Sequence, residues 1–236
     1  MVEEKSVLRW GGLAGILGSI SFILVFVVVI AFVGPDPASA EGEIVRFPDI
    51  RAARTVEDGL YLVVLMLWVA HFLALYCALR RTNLAPALFG SVLGIVGLGV
   101  LAAGALPHVA TTPISGLYHA PRATPEEQAT LALMWQATEG MFDALFGAGL
   151  FIVPTGLIAL GVAMLGAPAF GKGLGGMSVV LGVIGVVAAT VLLVDPLSPS
   201  AFVGVLALIV FHLVVGWRLF RLSRAGNESR THEVRQ

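Results

Sequence analysis

The chain is poor in the residues that most protein chemistry draws on. Cys77 is its only cysteine, which excludes an internal disulfide and any cysteine-based metal cluster. Charged residues are only 12% of the whole, and 14 Lys and Arg nearly cancel 15 Asp and Glu, so no basic surface is available for nucleic acid. Gly-x-Ser-x-Gly, His-Glu-x-x-His and a phosphate-binding glycine loop are all missing. Gly171-Lys172-Gly173 lacks the Ser or Thr that must follow the lysine. No His-x-x-x-His or Glu-x-x-His spacing offers a metal site, and no segment carries the regularly spaced arginines of a voltage sensor. No cofactor is expected from motifs, and the metal question stays open.

What the chain does have is apolar sequence and glycine: 58% hydrophobic residues and 28 glycines. A spanning helix needs about 20 mostly apolar residues. Six runs approach that length, at about 10–33, 59–79, 84–106, 141–165, 177–194 and 201–219. They predict an all-α polytopic membrane protein, a bundle of six transmembrane helices with the lipid bilayer as its main partner. Residues 225–236 are polar and lack aromatics, which reads as a flexible cytoplasmic tail.

Basic residues set the expected orientation. Lys5, Arg9, Arg80, Arg81, Lys172, Arg218, Arg221 and Arg224 share one side if both termini are cytoplasmic. Arg46, Arg51, Arg54 and Arg122 fall opposite, spread through the two longest connections. The strip Arg218, Arg221, Arg224 suits anionic lipid headgroups. Ala38-Ser39-Ala40 resembles a signal-peptidase site, but the apolar run before it exceeds the ~7–15 residues of a signal peptide, so retention is expected.

Three runs carry one pattern: Gly11, Gly15, Gly18; Gly90, Gly94, Gly97; and Ser178, Gly182, Gly185. Positions i, i+4 and i+7 share a helical face, so each run is a helix with a bare stripe where another backbone can approach. Gly15, Gly18, Gly94, Gly97, Gly182 and Gly185 are thus the expected packing residues. Each stripe opens an outward–inward hairpin, and the returning helices echo one another more faintly. Asp58-Gly59-Leu60-Tyr61 resembles Glu139-Gly140-Met141-Phe142, and His71 is echoed by His212. The order is that of three repeated hairpins.

Between the spans, Gly34-Pro35-Asp36-Pro37 reads as a breaker and 38–54 as an external loop. Thr55 reads as the N-cap of the second helix. A second external loop is expected from Pro107 through Arg122, so that Tyr118 and His119 are exposed. Thr124-Pro125-Glu126-Glu127 is a capping box with Pro at N1. A helix from there to Leu165 would be about 60 Å long, about twice the hydrocarbon core. Either its first part stands outside the bilayer or it breaks near Gly140.

The Arg9-Trp10-Gly11-Gly12-Leu13-Ala14-Gly15 opening, the acidic Glu126-Glu127-Gln128-Ala129 start before the fourth span, and the Ala167-Pro168 and Leu181-Gly182-Val183 junction into the fifth carry a resemblance. Over most of its length the chain resembles a broad group of uncharacterised prokaryotic six-span membrane proteins, catalogued as a domain of unknown function. The resemblance implies a helical bundle and no catalytic residues.

Ionisable groups inside a bilayer are expensive and face the bundle interior. Glu139 and Asp143, four residues apart, project from one helical face, with His108 and Asp195 near the same ends of their own spans. The four could line an outward-facing site for a cation or small solute. Equally, Glu139 and Asp58 are favourable acids near helix N-termini, with Asp143 paired to an arginine or hydroxyl. His71 and His212 fall at similar depth on parallel helices, where two imidazoles could hold a haem or relay protons. A lone intramembrane His more simply hydrogen-bonds a neighbour. Three functions stay open: a solute-binding or transport-like protein, a non-enzymatic assembly or sensory component, and a redox protein using His71 and His212.

Overall fold

The computed structural model describes residues 2–35, 37, 39–195 and 198–233, with side chains from Glu3 to Arg224. Ala38 in the signal-peptidase-like triplet, Asp36 in the breaker and the last three residues lie outside the described ones. The order is α1 (Val2–Val28), prolonged by a π turn (Val29–Val33), then α2 (Ala40–Leu79), α3 (Leu84–Tyr118), α4 (Pro125–Leu165), α5 (Gly171–Val194) and α6 (Ser200–Glu233). No strand occurs among the described residues. All six helices are long and apolar enough to cross a membrane. Their outward surface is apolar too: Ile30, Met66, Phe89 and Leu106 stand exposed, as a lipid-solvated bundle requires and a water-solvated one avoids. The fold is an all-α six-helix bundle of a multi-pass membrane protein.

The helices pack in a ring, each against its sequence neighbours, and α6 closes on α1. Within the ring α2, α4 and α6 also touch one another, whereas α1, α3 and α5 do not. The bundle is therefore three hairpins around a centre, returning helices inside and glycine-striped helices outside, each wedged between two inner ones. This is the arrangement a threefold repeat produces.

Glycine makes the wedges possible. A Cβ added to Gly15 would stand 2.5 Å from His71 Nδ1 on α2 and 2.8 Å from the His212 carbonyl on α6. Gly18 meets the Trp68 ring on α2, and Gly94 meets the Phe72 ring. Gly97 meets Val153, while Gly182 and Gly185 meet Ile158 and Pro154, all on α4. Every one of these contacts is shorter than 3 Å, so helix approach rather than helix propensity explains the residue choice.

Two expected loops are helix instead. Residues 40–54 open α2, with Ser39 as N-cap, its Oγ accepting from the Gly42 N–H at 3.1 Å. Thr55 lies well inside and donates back to the Arg51 carbonyl, so it is no cap. Residues 107–118 continue α3 through Pro107 and Pro113. The reason is packing. Ile44 and Phe47 of α2, Ile114 and Tyr118 of α3 and Trp135 of α4 bury one another in a second small core. Tyr118 is therefore buried, and His119 alone of that pair is exposed. The α4 helix is continuous through Gly140. By rise per residue α2 and α4 reach about 60 Å, against about 36 Å for α5. Their surplus, with that of α3, builds a three-helix cap above the bundle at the end remote from the termini. At the near end, α6 continues as helix to Glu233, past the point where the sequence reading placed the tail.

Thr124 and Glu127 form the reciprocal box that the sequence announced: Thr124 Oγ1 accepts from Glu127 N and Glu127 Oε2 from Thr124 N. Thr124→Ala is expected to lower the stability of this first turn by about 1 kcal/mol. Amide exchange should quicken in the first turn of α4 and stay unchanged near Leu157.

Candidate functional site

The inner helices carry their acids to one level under the cap. Asp58 on α2 and Glu139 on α4 occupy equivalent places in the first two hairpins, and His108 on α3 stands between them. His108 Nδ1–H donates to Asp58 Oδ1 at 2.8 Å, and both side chains are mostly buried. One turn away, Arg54 pairs with Glu57 at 3.0 Å. Phe142 stacks on the His108 ring with centroids 5.1 Å apart, fixing its plane.

His108 divides two hollows. On the cap side is a small polar cleft lined by Glu43, Arg46, Arg54, Thr111, Trp135 and Glu139. Its rim is braced by Trp135 Nε1–H donating to Glu43 Oε2 at 2.9 Å. On the bundle side is a cavity of about 230 Å³ among α1, α2, α3, α4 and α6. Phe22, Phe26, Tyr61, Phe142 and Phe146 line it, with Glu57, Asp58 and His108 as its polar wall. A neutral bundle core would need none of these charges. Carboxylates and an imidazole thus border an otherwise aromatic hollow, which makes it the candidate site.

The four residues singled out from the sequence are thus divided. His108 and Glu139 line one cleft. Asp143 is exposed in a separate groove with Phe146, Gly147, Leu193 and Ala201, toward α5. Asp195 is exposed where α5 ends. The i, i+4 spacing puts Glu139 and Asp143 on one side of α4, but between them the helix passes from the cap to the α5 groove. Asp58, Glu57, Arg54, Glu43 and Trp135 belong to the site and were not singled out for it. The signal for Asp58 was its echo of Glu139.

His71 and His212 form a second, deeper cluster. Both are fully buried, with ring centroids 5.0 Å apart. Trp68 stacks on His212 at 4.1 Å and nearly parallel. His71 Nδ1–H donates to the Gly11 carbonyl at 2.9 Å. Among the described residues, His71 Nε2, both His212 nitrogens and Trp68 Nε1 have no hydrogen-bond partner. A haem held axially by both would need a slot between the rings, and they touch edge to face instead. Beside them Ser19 Oγ lies within hydrogen-bond distance of the Gly15 and Ile209 carbonyls, fastening α1 to α6. Among the described residues no three His, Cys, Asp or Glu side chains gather to hold a metal ion.

At the terminus end, Arg218 donates to the Ala169 carbonyl and so closes the turn between α4 and α5. Arg224 lies over the Phe220 ring at 4.4 Å, and Trp10 and Trp217 are exposed at the same end. That turn enters α5 through Gly171 at φ +76°, a conformation an L side chain rarely adopts.

No family model, no curated protein and no solved structure matches the chain. The functional reading therefore rests on the geometry.

Proposed function

We propose that the protein binds, and in a transport-like cycle passes, a small solute through the hollow beneath its cap. The observation that carries this is the pairing of one apolar, ring-lined cavity with one hydrogen-bonded His108–Asp58 gate to a polar cleft. Solute sites in membrane bundles sit at repeat interfaces and reuse the few intramembrane charges present. Here the gate lies between the first and second hairpins, with Glu139 on the far side of His108.

Short Lys/Arg-rich connections belong in the cytoplasm. Lys5, Arg9, Arg80, Arg81, Lys172 and Arg218 share the terminus end, so the cap and its cleft face outward. Arg221 and Arg224 extend that basic rim toward anionic headgroups.

The test is access. With Cys77→Ser as background, Ala105→Cys places a thiol on the cavity wall and Leu157→Cys places one in the packed core. A small uncharged water-soluble thiol reagent added to the cap side is expected to label position 105 and spare 157. Protection of both positions would sink the reading.

A further inference from the structure

Five aromatic rings and two carboxylates line the same cavity, and no Lys or Arg among the described residues does. Aromatic faces carry negative potential and draw cations, the more strongly where water is excluded. Glu57 is already held by Arg54 at 3.0 Å. Among the described residues, Asp58 is held by the His108 imidazole, at 2.8 Å. An imidazole can surrender its positive charge by losing a proton, and a guanidinium cannot.

The volume sets the size of the guest. About 230 Å³ is less than the ~300–1,000 Å³ of sites that take drug-sized molecules. The cavity lining divides into an apolar part, with Phe22, Phe26 and Phe146, and a polar part, with Asp58 and His108.

We propose that the cavity takes a small amphiphilic organic cation, its ammonium at Asp58 and its apolar body among Phe22, Phe26, Phe142 and Phe146. This rests on the reading of the cavity as a solute site and names the class of solute. The incoming ammonium and the His108 Nδ1–H compete for one carboxylate. His108 also lines the polar cleft with Glu139 and Arg54, so an imidazole released from Asp58 has polar neighbours there.

Benzyltrimethylammonium and phenylmethanesulfonate share a ring and a similar size and differ in charge sign. Titrated calorimetrically into the full chain in nanodiscs, the cation is expected to bind and the sulfonate not. Asp58→Asn should weaken the cation about tenfold or more, as loss of a charged partner does. Phe146→Leu keeps apolar bulk but removes a ring face and should weaken it about threefold. The wild-type comparison decides the matter even if Asp58→Asn does not fold. Equal binding of both probes, or of neither while the thiol at position 105 is labelled, overturns the cationic assignment and leaves the cavity reading standing. An unlabelled thiol at 105 removes both.

Discussion

Gly156→Leu is expected to prevent the bundle from assembling. A Cβ at this position would lie 2.6 Å from the Gly90 carbonyl oxygen and 2.8 Å from the Gly94 amide nitrogen. Both are backbone atoms of α3, so no rotamer change relieves the overlap. Oversized side chains in adaptable cores cost about 1–3 kcal/mol. Here two helices must separate along a seam where Gly90 and Gly156 each meet the other's backbone, and the loss should exceed that range. Gly99→Ala is the control, since nothing lies within 4 Å of its added methyl. It should change stability by no more than about 0.5 kcal/mol. Size exclusion and thermal unfolding in detergent read both. A monodisperse, wild-type-like Gly156→Leu would mean that α3 and α4 do not touch through glycine.

Trp68→Ala has the second large effect. The indole is 1% exposed, stacks on His212 at 4.1 Å, packs against Phe22 at 5.5 Å and fills the notch left by Gly18. Truncating a buried aromatic costs about 3–5 kcal/mol where the surroundings cannot collapse. Collapse is hindered here because α1, α2 and α6 all border the ring. Since Phe22 also lines the central cavity, the void should enlarge the hollow from below. The expected result is a marked fall in detergent unfolding temperature, with Trp68→Phe in between. A variant as stable as wild type would show the site to be loosely packed.

These two residues also show what could be read in advance. The stripes at Gly11, Gly90 and Ser178 recur with period and register intact, and close helix approach leaves that mark on sequence directly. Gly156 has no such periodic signature, because its need for smallness comes from a partner 62–66 residues earlier. The cap was missed for a related reason. Pro107 signals a helix end in isolated chain, and 38–54 is polar and mixed in charge. Ile44, Phe47, Ile114 and Trp135 were too sparse to outweigh them until the fold brought them together. Likewise the imidazole–carboxylate pair joins positions 50 residues apart with no spacing to betray it. Only the likeness of Asp58-Gly59 to Glu139-Gly140 hinted that both acids stand at one level. Glu139 and Asp143 were grouped by helical phase, which fixes azimuth but not the neighbouring helix at each height.

The cap is lopsided. It rises from α2, α3 and α4, while α5 and α6 join through a short connection and α1 stops at Gly34. A threefold bundle thus carries a roof over one flank and a low sill on the other. For the amphiphilic cation proposed above, the sill between α1 and α6, where Phe26 and Phe202 stand edge to face at 5.4 Å, would be a sideways way in from the surrounding lipid. On that proposal the membrane itself would concentrate the guest, and the His108–Asp58 pair would meet it last.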